Sequence, residues 1–184
     1  MSLQTFAYAR DALAEGQWWR IATASVVHVS AVHLAMNVAA LVAVLAIWGA
    51  GRQRQGMTVL AVLALAQWPA AWWLAPDLAW GAGMSGALHG LVACWCVADA
   101  SDGAAPRAWR RFGAAGLAGL GIKLGAEAAW PSVDATLPVA AELHWIGVAL
   151  GATLGLGFAL GRAWRARTTR GRRIRSGAAP SRPH

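Results

Sequence analysis

Ser85 stands in the run Gly81-Ala82-Gly83-Met84-Ser85-Gly86-Ala87-Leu88-His89-Gly90, between two apolar stretches. Gly83 and Gly86 flank it, and no other serine occurs between Ser30 and Ser101. Such a serine has two readings. Small residues let membrane helices approach closely, so it can be a packing position. It can also be a nucleophile at a helix start, where glycines let a substrate reach the backbone and free N–H groups face an oxyanion. A serine nucleophile needs a base, and histidine is the usual one at neutral pH. His144 near the start of the last apolar run can be that base. His33 and Asn37 are four apart and share one helical face. Together with the Ser85 backbone N–H they can donate to a developing oxyanion.

The other ionisable residues in apolar context have simpler readings. Lys123 and Glu127 are spaced to pair with each other on a helix. Glu142 is two residues from His144 and points elsewhere on a helix. No third acid is therefore expected, and the chemistry reads as a Ser85–His144 dyad. His89, one turn below Ser85, either packs beneath the serine or tunes the site as a second polar group. The histidines lie on separate elements with no ligand-type grouping of cysteines or carboxylates. No glycine loop of phosphate-binding type is present, so neither metal nor cofactor is expected. Cys94 and Cys96 point to different sides of a helix and read as small buried residues.

The elements that must position these residues are membrane helices. The 184-residue chain is 58% hydrophobic and 13% charged, with a mean hydropathy of +0.45, far from a soluble composition. Its 12 tryptophans gather near the ends of apolar runs, as in aromatic interfacial belts. The net charge of +8 does not point to nucleic acid, because its basic residues form no aromatic-interleaved face. Thirteen of the 16 Lys and Arg residues lie in two short loops and the C-terminal tail. That bias makes the tail cytoplasmic and turns Ser85 to the outer side.

An all-α bundle with five spans is expected, at about residues 33–48, 57–74, 85–98, 112–130 and 141–160. Residues 1–32 carry too many charges for a span and lack a signal-peptide layout. They are expected on the outer face, with a short helix over 5–15 and Trp18-Trp19-Arg20 at the interface, rings at headgroup level and charge in water. The core is expected over 33–161, and residues 162–184 as a disordered basic tail. The third span, about 14 residues, is short for a crossing, which implies a helix N-terminus sunk inside a protein cavity. Water would reach Ser85 there.

This pattern resembles the rhomboid family of intramembrane serine proteases. The matching residues are Trp19-Arg20, His28, His33 and Asn37, the G-x-S-G of Gly83 to Gly86, and His144 with Gly147 and Gly151. The resemblance implies Ser85 as nucleophile, His144 as general base, and an oxyanion hole of His33, Asn37 and the Ser85 N–H. It also implies that Gly147 and Gly151 let the last span pack closely on the serine helix. The form G-x-S-G-x-x-H-G, with His89 and Gly90, is similar to the rhombosortase branch. That branch implies a bacterial inner-membrane enzyme facing the periplasm. Its protein substrates carry glycine-rich C-terminal anchors, and the lipid bilayer is its setting. The family core has six spans and five are evident here, so either the sequence begins downstream of the true start or the protein lacks the family's first helix. That departure keeps a second reading open, an inactive rhomboid-like protein that binds membrane helices. A small transporter or channel subunit is a third.

Overall fold

The computed structural model describes residues 3–130 and 141–175. The chain enters through α1 (Leu3–Phe6), strand β1 (Tyr8–Ala9), α2 (Arg10–Ala14) and α3 (Trp19–Thr23). The expected single helix over 5–15 is therefore broken by a strand. Strand β1 pairs antiparallel with β2 (Trp80–Gly81), matching Tyr8 with Gly81 and Ala9 with Trp80. This ties the N-terminal segment to the run that carries Ser85.

Long helices follow at the five expected places: α4 (Ala31–Trp48), α5 (Gln53–Leu74), α6 (Ser85–Ala100), α7 (Arg107–Ala129) and α8 (Ala141–Arg175). Among the described residues, three are long and apolar enough to cross a membrane, Ala31–Trp48, Gln53–Leu74 and Ala141–Thr169. With 16 residues, α6 is short for a crossing. Glycines and the Lys123–Glu127 pair dilute the hydropathy of α7.

Two expectations about boundaries are corrected. The tail is not disordered from residue 162, because α8 continues without a break to Arg175. Arginine is a good helix former, and extending an existing helix needs no new nucleus. Residues 176–184 lie outside the described residues, as do residues 131–140 between α7 and α8. In addition, Arg107, Arg110 and Arg111 fall inside α7, whose start at Arg107 follows Pro106. Pro106 sits where a helix begins easily, since its missing N–H would have no partner there.

The serine helix lies at the centre. It packs most extensively on α8, then on α7 and α5. Most of its residues are buried, from Gly86 to Asp99. The α6–α8 contact is backbone to backbone. A methyl group at Gly147, Gly151 or Gly155 would run into the carbonyl of Gly86, Gly90 or Cys94 respectively. The four-residue spacing on both helices lines up these small positions, as membrane helix contacts require. On the other side, Gly113 faces the Cys96 carbonyl and Gly116 the Cys96 sulfur. Both cysteines are buried and free. Helix α4 is the opposite case. Only Asn37, Val44 and Trp48 are buried along it, while Leu34, Met36, Val38, Val42 and Ile47 face outward, as suits contact with lipid.

Arginines hold the N-terminal segment down. The Arg10 guanidinium donates to the carbonyls of Ala71, Trp72, Ala75 and Leu78, capping the C-terminal turn of α5, and lies over the Trp72 ring. Arg20, expected with its charge in water, is instead buried. It donates to the carbonyls of Gln4 and Ala7 and to Gln17 Oε1. Paired this fully, a buried guanidinium cross-links the segment more usefully than a solvated one. Trp18 and Trp19 remain exposed, as an interfacial position requires.

Candidate active site

The residues singled out for chemistry converge on one cavity of about 560 Å³. Its lining includes His33, Asn37, Ser85, His89, Glu127 and His144. Ser85 opens α6, following Gly83 in the left-handed region at φ +112°. Gly83 is constrained twice. Its φ disfavours any side chain, and a Cβ there would lie 2.7 Å from His33 Cε1. Its N–H donates to the Ala24 carbonyl at 2.8 Å, fixing the loop to the chain after α3.

That chain is fixed in turn by Ser25, a residue the sequence reading did not single out. The Ser25 hydroxyl donates to the Ala64 carbonyl and accepts from Gln67 Nε2 and Trp68 Nε1. One donor and two acceptor positions are thereby filled, the full capacity of a hydroxyl. The signal was faint, a serine among apolar residues with partners about 40 positions away.

At the centre, Ser85 Oγ lies 3.0 Å from His144 Nε2. His144 is buried, near the start of α8, and the glycine contact between α6 and α8 sets its depth. His89 stacks on the His144 ring, with centroids 4.1 Å apart and planes 21° from parallel, and its Nδ1 lies 2.6 Å from the Ser85 carbonyl. His89 thus packs against both the Ser85 backbone and the His144 ring.

One expectation is overturned. An acid does stand beside His144. Glu127 Oε2 lies 2.9 Å from His144 Nδ1, while Glu127 Oε1 accepts from the Lys123 ammonium. The Lys123–Glu127 pair expected from spacing is present, but only one carboxylate oxygen is used by it. Glu142 is exposed at the cavity rim.

His33 and Asn37 reach the same cavity from α4. The Ser30 hydroxyl caps that helix by accepting from the His33 N–H at 3.1 Å. Among the described residues, His33 Nδ1 and Asn37 Nδ2 are buried without a hydrogen-bond partner. Buried polar atoms are rarely left unsatisfied without a reason such as a ligand. His28 packs edge-on against His33, with centroids 5.2 Å apart. Partial burial, outweighing a bond to the Val26 carbonyl, holds the His28 ring below the usual imidazole range. No grouping of three or more possible metal ligands occurs among the described residues.

A hydroxyl, an imidazole and buried polar groups thus face one cavity within a helical bundle that carries membrane-spanning helices. The rhomboid domain model matches residues 15–162. The chain therefore belongs to the rhomboid family, whose members are generally serine proteases. No curated protein and no solved structure matches the chain.

Proposed function

We propose that this protein is an active intramembrane serine endopeptidase, with Ser85 as nucleophile and His144 as general base. The observation that carries the reading is the 3.0 Å approach of Ser85 Oγ to His144 Nε2 on the wall of a cavity. His144 Nε2 takes the hydroxyl proton as Ser85 Oγ bonds to the scissile carbonyl carbon. The carbonyl oxygen becomes an oxyanion, which the Ser85 N–H, Asn37 Nδ2 and the His33 ring stabilise. As the intermediate collapses, His144 gives the proton to the leaving amine, and the C–N bond breaks. Water, with His144 again as base, then hydrolyses the acyl-enzyme and restores Ser85.

The five long helices all serve as spans in this reading, with residues 1–32 on the outer face, the core over 33–161 and the basic end of α8 in the cytoplasm. The Arg52, Arg107 and Arg162 regions cluster at the end of α6 away from Ser85, which supports that orientation by the positive-inside rule. The site then faces the periplasm of a bacterial inner membrane. The G-x-S-G-x-x-H-G form supports a place in the rhombosortase branch. Its substrates would be exported proteins held by a glycine-rich C-terminal anchor helix.

Co-reconstitution into liposomes with a reporter carrying such an anchor tests the reading. Wild-type protein is expected to release the reporter, and Ser85→Ala is not. Equal release by both, or none by folded wild type, would contradict it.

A further inference from the structure

Glu127 was expected only as the partner of Lys123, yet it uses its two oxygens on different residues. Oε1 accepts from the Lys123 ammonium, and Oε2 lies 2.9 Å from His144 Nδ1. A neutral imidazole has one N–H and one bare nitrogen, and its neighbours decide which is which. A carboxylate can only accept, so Nδ1 must carry the hydrogen. Nε2, 3.0 Å from Ser85 Oγ, is then left with the lone pair that takes the serine proton.

We propose that Glu127, clamped by Lys123, is a positioning residue that fixes the tautomer and orientation of His144. The inference rests on the serine-protease reading above. Glu127 lines the same cavity, but its hydrogen bonds go to Lys123 and His144, so it acts on Ser85 through His144. When His144 becomes imidazolium, the facing carboxylate offsets its charge, and Lys123 keeps the trio from carrying a net negative charge in a membrane setting. The carboxylate comes from α7 and the imidazole from α8, so the serine, base and acid sit on three separate helices. His89 covers one face of the His144 ring and limits its rotation. The arrangement is a Ser85–His144–Glu127 chain of hydrogen bonds with Lys123 holding the acid.

Lys123 makes the test specific. In Glu127→Gln, the ammonium requires the amide oxygen, so the amide NH2 turns toward His144. Nδ1 must then accept, the hydrogen moves to Nε2, and Ser85 loses its base. Glu127→Ala imposes no tautomer. A purely structural role would rank the variants the other way, since glutamine keeps more contacts than alanine.

The experiment measures reporter cleavage in liposomes for wild type, Ser85→Ala, Glu127→Gln, Glu127→Ala and Lys123→Met with Glu127→Gln. Glu127→Gln is expected to lose about 100-fold or more in kcat with little change in KM. Glu127→Ala should be less impaired than Glu127→Gln. Removing Lys123 frees the amide to flip, so the double variant should regain roughly tenfold over Glu127→Gln. A Glu127→Gln rate within about threefold of wild type, or a Glu127→Ala rate below that of Glu127→Gln, would overturn the inference. If Glu127→Gln does not fold, the proposal stands on Glu127→Ala alone, which must lose kcat at constant KM, and is overturned if it does not. Wild type that cleaves and Ser85→Ala that does not would leave the protease reading standing through any such failure. Inactive wild type would sink both.

Discussion

Asp99 near one end of α6, and His33 and Asn37 beside the other, carry buried polar atoms in opposite surroundings. At the Ala100 end, Asp99 is buried and satisfied. It accepts from Trp48 Nε1 at 2.9 Å and from Arg52 Nη1 at 2.8 Å, while Arg162 pairs with Asp102 at 3.1 Å and donates to the Ala98 carbonyl. At the Ser85 end, His33 Nδ1 and Asn37 Nδ2 are buried and unpartnered among the described residues, beside a cavity. Satisfied buried polar groups lock a structure. Unsatisfied ones cost stability, and beside a cavity they are available to a bound group. Asp99 therefore ties α6 to α4 and Arg52, while His33 and Asn37 leave polar atoms free beside the cavity. Mutations at the two ends should separate activity from stability.

Of the variants that separate Asp99 from the cavity donors, Asn37→Ala should have the largest effect. Losing one oxyanion donor typically costs about 100- to 1,000-fold in kcat, or about 2.7–4 kcal/mol of transition-state stabilisation. Thermal stability in detergent should not fall, because the deleted donor has no partner to leave behind. An Asn37→Ala protein that unfolds but cleaves normally would reverse the assignment of this end.

Asp99→Ala comes next, with the opposite signature. It strands the Trp48 N–H in the protein interior, at a cost of about 1–3 kcal/mol. Arg52 is partly exposed and can turn to water. The thermal midpoint should drop while kcat of the folded fraction stays near wild type. A selective loss of kcat would show that the two ends are not independent.

The smallest effect concerns pH at the open end. Burial lowers the His28 pKa from 6.5 in the folded protein. Below 6.5 the unfolded chain then binds a proton that the folded one refuses, so stability is full above that pH and declines as pH falls through the folded value. Melting curves between pH 7 and 5 should show this decline in wild type, and it should be shallower in His28→Asn. Parallel curves would remove His28 from the account.

Much of this division was legible in the residues, and what was missed has a common cause. Ser85, His33 and Asn37 announced themselves by short-range spacing, and the five helices by apolar runs. The close fit of Gly147 and Gly151 on α6 was implied by the resemblance. Glu127 was misread because helical spacing offered it a partner in Lys123, and its second bond depends on how α7 and α8 pack. Ser25 was missed for the same reason, since its partners lie on α5. Arg20 was assigned to water because exposure is the usual state of an arginine, yet carbonyls from a distant segment bury it. The end of α8 was misjudged because charge density was taken as a sign of disorder, although a helix already under way can continue through arginines. Local pattern carries the elements and Ser85, while the residues that support it belong to tertiary contact.

The most direct test of the central claim is labelling by a fluorophosphonate probe in membranes containing the folded protein, beside Ser85→Ala and His144→Ala. The probe reacts only with a serine whose hydroxyl is activated. Labelling of wild type, abolished in both variants, is the predicted result. Absence of labelling in folded wild type, or labelling that survives in Ser85→Ala, would contradict the account.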